Sequence, residues 1–364
     1  MRAETNVGIL GIGVYLPEEV RTNDWWPKEV VDKWRVRADA SAIRAHKADP
    51  RAASEGVMQV EAAMAEFAHD PFQGTRERRI IANGQTSLDM EVAAARAAIR
   101  NADIDSSDID TVLSFALPPA EIGTNNACAV HKALGLRPDV FALQTEGICN
   151  SFLAQLTLAR SMIVSGESKC ALLVFSSSIS TTLPWDEPFS AWFGDAAAAV
   201  VVGPVAAEFG ILGTAHGTDG DYHRTLLFGA EGSDNWADGG KIITVARDKR
   251  KGTEMILGVA ERGKGVLDRA LERAGLSTDD VDFYASHQAT AWFRRVTQAY
   301  AGFHRARFRD TFEETASLSA ANIPLQLYHA LGDGVLHTGD VIAMYAGGTG
   351  ISWSAVTMRW GTRA

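Results

Sequence analysis

Cysteine is scarce in this chain: Cys128, Cys149 and Cys170 are the only three in 364 residues. They are far apart and odd in number, so neither a zinc site nor a disulfide framework can be built from them. The nine histidines form no pair with metal-ligand spacing, and no metal is expected. Positive charge is in deficit, with 45 Asp and Glu against 35 Lys and Arg, a formal charge of −10. Such a surface repels nucleic acid and anionic lipid, so neither is an expected partner, although a local basic patch for an anionic cofactor stays compatible with it. No apolar run reaches the roughly 18 residues of a membrane span. The N-terminus, MRAETNVGILGIGVYLP, lacks the basic region, long apolar stretch and cleavage site of a signal peptide. A reducing cytoplasm is the expected compartment. No Walker loop occurs. Gly11 and Gly13 are only a fragment of a dinucleotide fingerprint, because Leu16 takes the third glycine's place and no helix follows at once.

What remains is an ordinary globular composition, 46% hydrophobic and 22% charged, long enough for one large domain or two similar halves. Val7 to Tyr15 reads as a strand. Asn23 to Asp70 is polar and irregularly periodic despite Trp25, Trp26 and Trp34, and reads as an inserted helical segment outside the core. From Ser87 the pattern becomes α/β. Helices are expected at 89–101, 125–134 and 150–164, with Gly166 as a stop, and strands at 111–116, 140–145, 170–176 and 196–202. The continuous apolar runs suit strands buried on both faces. Residues 98–110 (AIRNADIDSSDID) and 270–282 (ALERAGLSTDDVD) align without gaps at an offset of 172, that is 270 minus 98. Either two helix–turn–strand units match by chance, or the chain holds two duplicated βαβ halves.

Three positions can carry chemistry. Cys149 ends the strand-turn FALQTEGIC and begins the helix NSFLAQL. There the helix dipole and unpaired amides are expected to lower its pKa and supply thiolate; the alternative is a buried cysteine acting as a small apolar residue. Cys128 and Cys170 are expected to be such buried residues. His287 lies where the apolar strand of VDFYASHQAT meets a loop, placed to act as a base or oxyanion donor, or else as a capping or core histidine. Ala346-Gly347-Gly348-Thr349-Gly350 joins two apolar strands, and its backbone amides can approach a ligand closely, unless it is a hairpin turn alone.

Together these segments resemble ketoacyl-ACP synthase III of the thiolase superfamily. The resemblance runs from about Val7 to the C-terminus, apart from the segment between Asn23 and about Asp70. GTRERR at 74–79, Phe193-Gly194-Asp195-Ala196, His287-Gln288-Ala289 and Gly348 to Trp353 match family motifs in order. The resemblance implies a thiolase-like five-layer αβαβα fold with two halves, residues 1–204 carrying the nucleophilic Cys149 and 205–364 carrying His287. It implies an acyl-CoA or acyl carrier protein as thioester co-substrate, no permanently bound cofactor, and a homodimer. Thr349 aligns with the family's middle glycine, whose amide helps polarise the thioester carbonyl, with Gly348 beside it.

The departures shape the functional expectation. The family's catalytic asparagine, in a Gly-Asn-Thr-Ser-Ala-Ala-Ser motif before Ile-Pro, is replaced by Ser317 within Ala316-Ser317-Leu318-Ser319-Ala320-Ala321-Asn322. Asn322, five residues on, is not expected to replace it. A serine offers one donor where an amide offers two, and the enolate of decarboxylative condensation needs such donors. Near Gly123 the family's bulky aromatic is missing, which opens the acyl pocket. Glu121 in the same loop either points across the dimer or is a solvated charge. The leading expectation is therefore an acyltransferase of specialised, polyketide-type metabolism. It moves an acyl group from Cys149 to an oxygen or nitrogen of a small-molecule acceptor, with His287 as base. Claisen condensation is the alternative, and a non-catalytic partner subunit a third; retention of both Cys149 and His287 argues against the third.

Overall fold

The alanine-rich helix Ser87–Asn101 and the strand after it show how local sequence builds this fold. Thr86 caps the helix, with Asp89 returning the hydrogen bond in a capping box. A second capping box, Asp105 with Asp108, turns the chain into the apolar strand Thr111–Leu117. The computed structural model describes residues 5–45, 54–233 and 235–361. In chain order these hold β1 (Val7–Tyr15), β2 (Glu19–Thr22), α1 (Lys28–Ala45), α2 (Glu55–Glu66), β3 (Glu77–Ile80), α3 (Ser87–Asn101) and β4 (Thr111–Leu117). Next come α4 (Asn126–Leu134), β5 (Phe141–Gln144), α5 (Ser151–Ser165), β6 (Ala171–Ser177), β7 (Ala196–Pro204) and β8 (Gly210–Thr218). The hairpin β9 (Leu226–Ala230) and β10 (Ile242–Ala246) follows, then α6 (Lys249–Leu257), α7 (Val259–Ala274) and β11 (Phe283–Ser286). The chain ends with α8 (Phe293–Ala301), α9 (Phe312–Thr315), α10 (Asn322–Gly332), β12 (Val341–Gly348) and β13 (Ser352–Arg359).

Two sheets carry the architecture, ordered β1-β7-β6-β4-β5 and β11-β12-β13-β8. The pairing pattern repeats between them. β4–β6 and β11–β12 are parallel, β6–β7 and β12–β13 antiparallel, and the outer pairs β7–β1 and β13–β8 are antiparallel with a register shift in each. α7 runs through a capping box, Ser277 with Asp280, into β11, as α3 runs into β4. This common pattern supports duplication over a chance match of the two stretches at the 172 offset.

The layering follows from which faces are apolar. α5 and α10 lie between the sheets, where Phe152, Leu156, Ile163, Ile323 and Leu327 share one buried cluster with residues of both sheets. α3 and α4 cover the outer face of the first sheet, and α7 and α8 that of the second. The result is the thiolase-like αβαβα arrangement. Gly13 and Gly213, in corresponding outer strands, explain part of the glycine pattern: an added Cβ would overlap the backbone of α3 at the first and the Ala270 carbonyl of α7 at the second. Gly13 thus serves helix–sheet packing. No helix among the described residues is long and apolar enough to cross a membrane.

Two expectations are corrected. The segment 23–70 is helical in α1 and α2, but it is not outside the core. Trp26, Val30, Val31 and Trp34 are buried with Phe72 and Ala191, and Val60 and Ala63 pack into the outer cluster on the second sheet. The indoles of Trp26 and Trp34 donate to the carbonyls of Trp185 and Asp186, at 2.8 and 2.7 Å. Irregular periodicity hid this because tryptophans at scattered positions close over a loop, not over a sheet. Residues 46–53 of the segment lie outside the described ones. Cys128 is exposed, because it faces outward in the first turn of α4, whereas Cys170 is buried as expected.

Two carboxyls are enclosed. Glu91 on α3 accepts from Ser176 Oγ at 2.5 Å and Asn126 Nδ2 at 2.8 Å, and burial pushes it up to about 7. Asp195, of the Phe-Gly-Asp triplet, accepts from the amides of Ile81 and Ser180 at 2.8 and 3.1 Å, and burial pushes it up to about 6. Folded Glu91 therefore holds a proton that the unfolded chain has released above pH about 4.5. Its contribution to stability falls as pH rises from about 4.5 to about 7, then stays level. Glu91→Gln should flatten that fall and raise stability at pH 8 by roughly 1–3 kcal/mol. Urea unfolding of both proteins from pH 5 to 8 measures it; parallel curves would show that Glu91 does not set the slope.

Candidate active site

The elbow that carries Cys149 begins where β5 ends. Gly147 leads into a single tight turn, Ile148–Asn150, that opens directly into α5. Ile148 adopts φ +49°, a left-handed conformation that costs a β-branched residue on the order of 1–2 kcal/mol. Asn150 N–H closes the turn on the Gly147 carbonyl at 3.0 Å. Its side-chain amide reaches across to Ser352 Oγ at 3.2 Å, fastening the elbow to β13. Cys149, 9% exposed, sits at the apex.

Two other segments meet it. The turn between β12 and β13 presses on the elbow so closely that a Cβ at Gly348 would overlap the Gly147 carbonyl oxygen and lie 3.3 Å from the Asn150 nitrogen. That contact is why glycine stands at 348, and it seats the half-buried Thr349 beside the cysteine loop. The segment between α9 and α10 contributes Ser319, whose hydroxyl lies 3.5 Å from Cys149 Sγ.

His287 follows β11, its own amide bonded to the Tyr345 carbonyl at 2.9 Å and its ring edge-on to Phe293 at 5.8 Å. Gln288 fixes the loop behind it, donating to Asp310 and accepting from the amide of Thr311 at 2.9 Å. Burial pulls the imidazole down to about 4, with the Ser319 backbone and the Asn322 side chain opposing. The ring is therefore neutral at physiological pH and able to accept a proton.

The cysteine departs from expectation. Burial pushes its thiol up to about 11, Glu146 on the elbow adds to the rise, and the Ser319 hydroxyl opposes it. The expected low-pKa thiolate is not the resting state. The helix start is present, but desolvation of Sγ outweighs it.

Ser317 stands apart from the sulfur contact. Its amide donates to the Trp192 carbonyl at 2.9 Å, and its carbonyl accepts from Gly194 at 3.1 Å. Its hydroxyl is buried without a partner. Asn322, set aside on sequence, lies against His287. Its Oδ1 accepts from the Leu318 amide at 2.9 Å, while its Nδ2 is buried and unpartnered. The two residues missed by sequence reasoning are thus Ser319 and Asn322. They come inward because Ala316 and Ser319 take φ +56° and +55°, and no glycine or asparagine at either position signals that path. Asn150 Oδ1, Ser151 Oγ, His287 Nδ1, Ser317 Oγ and Asn322 Nδ2 are all buried without partners among the described residues. Such a concentration of unsatisfied polar atoms on the three converging segments marks a site built for a ligand or water.

Comparisons with known proteins place the chain in a family. Residues 143–220 match the family model for 3-oxoacyl-acyl-carrier-protein (ACP) synthase III, and residues 271–360 match the model for its C-terminal part. The chain is 30% identical over 360 residues to a beta-ketoacyl-acyl-carrier-protein synthase III from Bacillus pumilus, covering 98% of this chain and 99% of that one. It superimposes on 3-oxoacyl-acyl-carrier-protein synthase III from Aquifex aeolicus with a TM-score of 0.75 at 26% identity, covering 97% of this chain and all of the other. The fold is also that of the priming beta-ketosynthase from the R1128 polyketide pathway, with a TM-score of 0.78 at 24% identity over 100% of this chain and 99% of that one.

The seat of Gly348 on the elbow yields a test. Gly348→Ala should push the β12–β13 turn off Gly147 and lower the rate of Cys149 acylation by about 10²-fold, the scale of a lost oxyanion donor. Stopped-flow transfer from an acyl-CoA measures it; an unchanged rate would remove this turn from the mechanism.

Proposed function

Because this chain belongs to the 3-oxoacyl-ACP synthase III family, whose members are acyl-transferring enzymes, we propose that it loads an acyl group from an acyl-CoA or acyl carrier protein onto Cys149 and passes it to an oxygen or nitrogen acceptor. In the first half, the sulfur attacks the thioester carbonyl, the Cys149 proton passes to His287, and the donor thiol leaves with that proton. In the second, His287 takes the acceptor's O–H or N–H proton as the new bond forms, and Cys149 leaves and recovers its proton from His287. The amides of Cys149 and of the Gly348–Thr349 turn hold the tetrahedral oxyanion. Residues 1–204 form the half with the nucleophile and 205–364 the half with the base.

One observation carries the choice of acceptor. Where the family's asparagine stands, this chain has Ser317, its backbone engaged with Trp192 and Gly194. Acyl transfer to a heteroatom forms no enolate and does not need that amide. A chain-elongating role is weakened accordingly, which suits specialised metabolism in the cytoplasm. The reaction needs no permanently bound cofactor. A homodimer is supported by the free edge of β5, which exposes Phe141 and Leu143 at the end of the first sheet. Claisen condensation is the second reading. It is favoured by the name and 30% identity of the Bacillus relative and by the unpartnered Asn322 amide beside His287.

Intact-protein mass after incubation with a panel of acyl-CoAs is the direct test. One adduct is expected, lost in Cys149→Ala and kept in Cys128→Ala and Cys170→Ala. With malonyl thioester, carbon dioxide release should run about 10²–10³ below that of a condensing enzyme, and Ser317→Asn should raise it. Rapid, Cys149-dependent formation of a β-ketoacyl thioester by the unaltered protein would replace this reading with the condensing one.

A further inference from the structure

Ser319 occupies an unusual position for a serine. It is 1% exposed, it holds φ +55° without being glycine or asparagine, and among the described residues its hydroxyl has one partner, Cys149 Sγ at 3.5 Å. A buried hydroxyl ordinarily donates to a carbonyl or carboxylate. A thiol sulfur is a weak acceptor and a thiolate a strong, charged one. The O–H···S contact is therefore worth little while Cys149 is protonated and much more once the proton is gone.

The surroundings give that difference a use. Three groups act on the sulfur besides its own backbone: burial and the Glu146 carboxylate oppose its charge, and Ser319 favours it. At rest His287 is neutral and supplies no positive charge to the sulfur. The charged sulfur nevertheless has to form twice, once as it attacks the incoming thioester and again as it leaves the acyl group. Stabilisation that appears only as charge develops speeds reaction without tightening the resting state.

We propose that Ser319 is a catalytic hydrogen-bond donor to Cys149, stabilising the thiolate at its formation and at its departure. The proposal rests on Cys149 as the acyl carrier. It gives a role to Ser319, which stands at the serine of the family's Gly-Asn-Thr-Ser-Ala-Ala-Ser motif and is distinct from the replaced position Ser317. The backbone twist at 319 is part of the device, because it turns this side chain inward while Ser317, two residues earlier, pairs with the strand region at Trp192 and Gly194.

The test needs no knowledge of the acyl group. In a Cys128→Ser background, which removes the exposed thiol, Cys149 is alkylated with iodoacetamide from pH 7 to 10 and the product located by peptide mass. Ser319→Ala and Ser319→Gly should both slow alkylation about tenfold at each pH, equivalent to a thiol pKa about one unit higher. Glycine suits φ +55° and alanine keeps the Cβ, so the two variants share only the lost hydroxyl. If Ser319→Ala fails to give the parent circular dichroism spectrum, the glycine variant carries the test. Rates within twofold of the parent in both, or slowing confined to glycine, would overturn the proposal. A parent protein that alkylates at Cys149 but takes no acyl group from any thioester would instead sink the acyl-carrier reading and leave the Ser319 result standing.

Discussion

Burial of α5 between two sheets is the constraint from which the site follows. The helix packs Phe152, Leu156, Ala159 and Ile163 into a cluster shared with strands of both halves, each large side chain stabilising by about 1.5–3 kcal/mol. A helix so placed delivers its first turn to the middle of the molecule. Cys149 is therefore buried because α5 is central. The strained Ile148 and the close seat of Gly348 are consequences of bringing β5, α5 and the β12–β13 turn to one point.

That placement sets the electrostatics. Burial pushes the thiol up to about 11, on the order of 3 kcal/mol against ionisation. A helix N-terminus ordinarily returns about 0.3–1 kcal/mol, so desolvation wins. His287 meets the same burial and falls to about 4. Both groups rest neutral, which avoids an idle buried ion pair. Charge then appears only during reaction, where hydrogen-bond donors can meet it. This arrangement favours preorganised donors over a standing thiolate, and it makes the polar groups around Sγ matter more than the helix dipole.

Legibility in the sequence tracked how local each signal was. The strand Val7–Tyr15 and the elbow at Cys149 were readable because apolar runs and turn residues lie next to one another in the chain. The repeated Asp105/Asp108 and Ser277/Asp280 turns were readable as one spacing used twice. What failed depended on space. Trp26 and Trp34 are buried against Phe72 and against the 185–192 loop, the latter more than a hundred residues away. Ser319 and Asn322 turn inward through positive φ at an alanine and a serine, residue types that carry no such signal. The thiol's pKa could be read from a helix start only by ignoring how deeply that start is buried.

The same spatial logic bears on what Ser317 can do. Its main chain is engaged on both sides, to Trp192 and Gly194, in the loop before the buried Asp195. A side chain there has a set origin and direction, and a hydroxyl is shorter than the amide it replaces. Asn322 belongs to a different element, the first turn of α10, with Oδ1 committed to Leu318. Its side chain also meets His287, where it opposes the fall of the imidazole pKa, so it acts first on the base. The polar groups found here are thus a serine hydroxyl on the sulfur, at a position where the family motif also has serine, and an amide beside the imidazole. Donors on the sulfur help every step that makes or releases the thiolate, whereas donors on a malonyl oxygen help only decarboxylation.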